Sequence, residues 1–204
     1  MIAAILDLVA SRKSSMHQRK ELDREIRSIL NQVYQRFREF CIAVPALTQG
    51  DTIEVLSNSW RPLFFLFHYL LMEGLEFRVG LGTGKIIVRN ENADECDGPA
   101  FWNAREALDD VKQKKYMART AGFSIDKVSP PEEKDAVIYS ILFLTTLLGL
   151  TQKQLRHCFY RIWEKKQITG IADEVRSSVG NVSKSLSGTP CYLLASVLAY
   201  LDEH

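Results

Sequence analysis

An α+β fold is what this 204-residue sequence predicts, and three observations predict it. Short apolar runs of strand length alternate with longer stretches whose apolar residues recur every three or four positions. Glycine and proline clusters punctuate the two kinds of segment. At Ser129-Pro130-Pro131 the pattern changes, because a diproline cannot continue a strand but can start a helix, and everything beyond reads as helix. The expected organisation is a sheet domain over residues 1–128, with helices covering one face, then an all-α segment over residues 129–204.

In chain order, residues 2–9 form an apolar run bounded by the polar Ser11-Arg12-Lys13-Ser14-Ser15, which predicts a buried strand. Over residues 16–40 the apolar side chains of Leu22, Ile26, Ile29, Leu30, Val33, Phe37 and Phe40 fall at helical spacing on a charged background, so a long amphipathic helix follows. Residues 41–47 and 52–56 flank Gln49-Gly50-Asp51 and predict a hairpin with Asp51 just past its turn. Residues 63–72 are a very apolar second helix, ended by Gly74. Residues 77–81 and 85–88 flank Gly82-Thr83-Gly84 as a second hairpin. Pro99 opens a third helix that extends to about residue 115. The longest apolar stretch, residues 136–150, is shorter than the roughly 20 residues that span a bilayer and reads as a buried or dimer-forming helix.

Bulk properties exclude some classes. A composition of 46% apolar and 25% charged residues is that of a globular protein rather than a disordered one. The formal net charge of +1 demands neither a nucleic acid nor a membrane at whole-chain level, and no membrane partner is expected. The four cysteines, at 41, 96, 158 and 191, make no CxxC pair and argue against a zinc site or a dense disulfide framework. The N-terminal apolar run has no basic stretch ahead of it and is interrupted by Asp7, so no signal peptide is expected and the location is cytoplasmic by default.

An aspartate in a buried strand is costly unless paired or coordinated, which singles out Asp7. It reads either as a hydrogen-bonded strand-end carboxylate or, with Asp51 on a neighbouring strand, as half of a divalent-cation site. Gly80-Leu81-Gly82-Thr83-Gly84-Lys85 superficially resembles a phosphate loop but lacks its spacing and following helix, so it reads as a hairpin turn. The lysines of the run at residues 112–115 read as a solvated complement to the helix dipole.

In the C-terminal segment Leu155, Cys158, Phe159, Ile162 and Trp163 form one helical face, and residues 168–175 a shorter helix containing the small Ala172. Val182 lies ten residues beyond Ala172, and with Ile171, Val175 and Leu186 this spacing resembles a helix-turn-helix in which Arg176 replaces the usual turn glycine. Residues 151–188 hold seven Lys/Arg and three Asp/Glu, a local net charge of +4. That local basicity suits phosphate contact. Asn181, Ser183 and Lys184 are the expected groove-facing residues, and Lys165, Lys166 and Arg176 the expected backbone contacts to DNA. The competing reading is a three-helix lid that packs on the sheet domain and binds nothing.

The segments Asp7-Leu8-Val9 with Ser11-Arg12, Gly50-Asp51, Arg78-Val79-Gly80-Leu81-Gly82-Thr83-Gly84 and Asp97-Gly98-Pro99-Ala100-Phe101-Trp102-Asn103-Ala104-Arg105-Glu106-Ala107-Leu108 together resemble the SatD family. The N-terminal part of that family is similar to class III nucleotidyl cyclase domains, and a helix-turn-helix tail is expected in it. The resemblance implies a nucleotide-cyclase-like sheet, with Asp7, the Leu8 carbonyl and Asp51 holding Mg²⁺ or Mn²⁺. It further implies that Val9, Ala10, Ser11, Arg12 and Lys13 face a nucleoside triphosphate, and that Arg105 stands for the catalytic arginine. Departures are plain: Phe101 stands where an asparagine precedes that arginine, and no lysine precedes Gly50-Asp51. Leu6 replaces an expected glycine, and Thr52-Ile53-Glu54 replaces the usual acidic, aromatic and glutamine residues. The expected function is regulatory, a metal-nucleotide domain coupled to a DNA-binding tail, with a homodimer as an expected assembly. An enzyme acting on a nucleoside triphosphate and a degenerate dimerisation module are the alternatives.

Overall fold

The computed structural model describes residues 1–9, 16–48, 51–113, 121–124, 140 and 142–203. The sheet domain runs β1 (Ile2–Leu8), α1 (Met16–Arg36), β2 (Ala46–Leu47), β3 (Thr52–Ser57), α2 (Arg61–Met72), β4 (Phe77–Thr83), α3 (Pro99–Gln113) and β5 (Ala121–Ser124). Residues 142–148 form α4. Four helices follow: α5 (Gln152–Ile162), α6 (Ile168–Glu174), α7 (Val179–Ser187) and α8 (Cys191–Glu203). The protein is thus a mixed α+β fold, as its sequence predicts. The Ser129-Pro130-Pro131 boundary lies outside the described residues.

The strand order is β2-β3-β1-β4-β5. β1 is central and antiparallel to both β3 and β4, and β5 joins β4 in parallel. The first six elements follow the split β-α-β-β-α-β connectivity, in which each crossover skips one strand. The first hairpin forms as expected, with β2 antiparallel to β3.

β1 is apolar on both faces, and this corrects the expected one-sided cover. Ala4, Leu6 and Leu8 pack with Ile26, Ile29 and Val33 of α1 and with α2. Ala3 and Ile5 pack against Ala100, Phe101, Ala104 and Leu108 of α3 on the opposite side. A strand buried on both faces needs a layer on each, so α1 and α2 share one face and α3 takes the other.

The second expected hairpin does not form. β4 continues through Gly82 to Thr83, and residues 86–88 turn away, with Ile87 and Val88 donating their N–H groups to the Asp97 carbonyl. The glycines here serve packing rather than turning. A Cβ at Gly80 would run into the Ala104 carbonyl and the Leu108 backbone, and one at Gly82 into the Ala100 carbonyl and the Ala104 amide. The bare strand lets α3 lie directly on the sheet.

α2 shows how the helical segment joins the domain. Ten of its residues, including Phe64, Phe65, Phe67 and His68, are buried, and a helix apolar on all sides must be covered on all sides. The sheet covers one side, and α4, α5 and α8 supply the rest through Phe143, Leu147, Leu155, Phe159, Trp163, Leu194 and Leu198. Phe143 stacks on Phe64 at 4.4 Å, and Phe65 meets Phe159 at 5.3 Å and Trp163 at 5.2 Å. Trp163 Nε1 donates to His68 Nδ1 at 3.1 Å, which leaves the proton on Nε2 to bond the Leu155 carbonyl at 2.9 Å. Desolvation pushes the His68 pKa down to about 4, so the ring is neutral. Arg36 of α1 closes the edge of the junction, donating to the Trp163 carbonyl and pairing with Glu164.

Candidate functional site

Asp7, next to last in β1, is in register with Thr52 on β3 and Arg78 on β4. The paired side chains share the α3 face, and there the Asp7 carboxylate meets Arg78 at 3.7 Å and Lys112 of α3 at 3.5 Å. Asp51 accepts the Leu8 N–H through its backbone carbonyl at 3.0 Å, so the two aspartates do occupy neighbouring strand ends. Its carboxylate turns to the other layer and pairs with Arg19 of α1 at 3.4 Å. One residue of strand alternation separates Thr52 from Asp51, and that offset sends the two carboxylates toward different helices.

This geometry bears on the expected cation. The donors are the hard oxygens that Mg²⁺ and Mn²⁺ take, but they do not converge, and three side-chain cations engage them. Among the described residues no three His, Cys, Asp or Glu side chains are grouped closely enough to hold a metal ion. Of the residues expected to face a triphosphate, Val9 has its N–H committed to the Glu76 carbonyl at 2.9 Å. Ala10, Ser11, Arg12 and Lys13 lie outside the described residues.

Arg105 is not brought to Asp7. It is half exposed and pairs with Asp97 at 3.5 Å, and Trp102 Nε1 donates to the same Asp97 oxygen at 3.0 Å. Lys112, two helical turns further on and about 10 Å along the axis, takes the place beside Asp7. Lys112 is therefore an ion-pair partner and not a solvated lysine, while Lys114 and Lys115 lie outside the described residues. Sequence reasoning missed Lys112, Arg78 and Arg19; a signal for Lys112 was its seven-residue spacing from Arg105, which keeps both on the sheet-facing edge of α3. Glu54, mid-strand on the same face, was missed too. Burial raises its pKa, with Asp94 and Asp97 adding to the effect and Arg105 opposing it.

In the C-terminal segment the ten-residue spacing does bring Ala172 and Val182 together, in a core with Cys158, Ile171, Leu186 and Cys191. Thr151 caps α5 with a capping box to Gln154, and Ser178 caps α7 by accepting from the Asn181 amide. The turn between α6 and α7 holds Arg176 at φ +50°, the left-handed conformation that a glycine would adopt without strain. Val182 and Leu186 point inward, while Asn181, Ser183 and Lys184 are exposed and uncovered by the sheet domain. Lys165 is exposed with φ +51°. Lys166 is engaged with Glu174 and lies 4.8 Å from the Tyr160 ring.

The fold and these two regions define a class: a split β-α-β-β-α-β sheet with a charged strand end, fused through a common core to a basic bundle of short helices. A model of the SatD family matches residues 1–169, more than half of the chain, and the protein belongs to that family. The match extends through α5, the helix that α2 requires as cover. A comparison with curated proteins finds no match. Among the described residues no helix is long and apolar enough to cross a membrane.

Proposed function

We propose that this protein is a DNA-binding regulator, in which α6 and α7 form a helix-turn-helix and the strand end carrying Asp7 and Asp51 binds a nucleotide. The observation that carries the DNA part is the two-sided character of α7. Its inner residues are fully used by the bundle core, whereas Asn181, Ser183 and Lys184 stand free on a locally basic surface. Such a helix fits a major groove, with Lys165 and Arg176 near the phosphates. Lys166 joins them only by giving up Glu174.

The nucleotide part rests on Arg19, Arg78 and Lys112 gathered at the end of the central strand. Mg²⁺ or Mn²⁺ held by Asp7, the Leu8 carbonyl and Asp51 belongs to the same proposal, and its binding requires those side-chain cations to be displaced and the two carboxylates, which point to different layers, to turn toward each other. No turnover is assigned, because Arg105 is held by Asp97 away from Asp7. A homodimer is included because residues 191–200 of α8 carry no charged residue and expose Tyr192, Leu193 and Tyr200.

Fluorescence anisotropy of the full chain with a random-sequence duplex tests the DNA part. The logarithm of the affinity falls linearly with the logarithm of salt concentration, and Lys184→Ala weakens binding by about 1 kcal/mol. Absence of binding at ~0.05 M salt would leave the helices as scaffold only. Equilibrium dialysis of nucleoside triphosphates with and without Mg²⁺ tests the other part. Asp7→Asn lowers affinity in the presence of the ion, and unchanged affinity rejects a metal-holding role.

A further inference from the structure

A second basic site lies between the start of α5 and the turn that joins α6 to α7. Gln152, Lys153, Arg156 and His157 of α5 and Val175, Arg176 and Ser177 of the turn line a cavity of about 350 Å³. That volume is at the small end of the roughly 300–1,000 Å³ of ligand pockets. Three of the lining residues are cationic. Arg156 has Glu73 at 4.0 Å, whereas Lys153 and Arg176 have no acidic partner within 4.0 Å among the described residues.

His157 is the independent observation. It is only 1% exposed, it forms part of the cavity wall, and neither ring nitrogen has a hydrogen-bond partner among the described residues. A neutral imidazole carries one donor and one acceptor, and leaving either unmet in the interior costs about 1–3 kcal/mol. His68 illustrates the contrast, since both of its nitrogens are satisfied. The same chain buries one histidine with complete hydrogen bonding and a second, beside three cations, with none among the described residues.

We propose that this cavity binds a phosphate group carried by a small molecule, with Lys153, Arg156 and Arg176 supplying charge, Ser177 a hydrogen bond, and the shielded His157 a second one as its ring turns toward the ligand. A phosphate accepts from several donors at once and offsets the clustered charge, which water alone does not. Desolvation and Lys153 both hold the His157 pKa down. An anion in place reverses the balance, so binding is accompanied by proton uptake on the ring.

The test uses the full chain, inorganic phosphate as probe, and the imidazole nitrogen signals of His157 by NMR at ~0.01 M ionic strength. Phosphate moves these signals saturably and raises the His157 pKa, and Lys153→Ala, an exposed substitution that leaves the core untouched, weakens the binding about tenfold. An equal shift with chloride at matched ionic strength overturns the proposal, as does the absence of any shift. A shift produced by duplex DNA but not by free phosphate also overturns it, and assigns the cavity to the DNA backbone surface instead. Because the phosphate arm contains no DNA, its failure is distinct from failure of the DNA-binding reading.

Discussion

The junction of α2 with α5 turns on a single imidazole, and acid is the perturbation that reads it. His68 bridges Trp163 Nε1 and the Leu155 carbonyl as a neutral ring, with its pKa pushed down to about 4 from an ordinary 6.5. Above pH 6.5 the ring is neutral in folded and unfolded chains alike, and the bridge stands. Below it the unfolded chain takes up a proton that the folded chain refuses, so stability falls until the pH reaches about 4 and then levels. At about 1.4 kcal/mol per unit, the part lost between pH 6.5 and 5 is about 2 kcal/mol. The control is His68→Phe, which keeps the aromatic contact with Phe159 but orphans the Trp163 N–H and the Leu155 carbonyl. It costs about 2 kcal/mol at pH 7.5. Urea unfolding followed by tryptophan fluorescence at pH 7.5, 6 and 5 measures both chains. The gap between them narrows by about 2 kcal/mol toward pH 5, because only the wild type loses the histidine contribution. Parallel pH dependence in the two chains would refute the assignment of a neutral, doubly bonded His68.

Gly82→Ala drives a methyl group into the Ala100 carbonyl and Ala104 amide, lifts α3 from β4, and costs more than about 2 kcal/mol by thermal unfolding. Arg176→Gly removes a left-handed strain of roughly 1 kcal/mol and so leaves stability unchanged or higher, while the salt slope of DNA binding falls by about 1. Thr151→Ala breaks the capping box of α5 and costs about 1 kcal/mol in urea unfolding.

Much of this protein was determined by local sequence. The apolar spacing over α1, the proline and glycine bounds of α2 and α3, the first hairpin, and the Ala172 to Val182 spacing all express short-range rules, and each recurs in the structure. α2 even announced its need for cover, since a helix apolar on every side cannot face water. Tertiary structure decided the rest. Gly80 and Gly82 could turn or pack, and only the docking of α3 selects packing. Lys112 could be solvated or paired, and only the crossing of α3 over β1 sets it beside Asp7. Asp7 and Asp51 were placed at strand ends by their sequence, but the directions of their carboxylates depend on the register of β1 with β3. A shift of one residue reverses the face, and that register is a property of paired strands far apart in the chain. The cavity around His157 has the same origin, because its lining comes from two segments about twenty residues apart that meet only once α5, α6 and α7 close on their core.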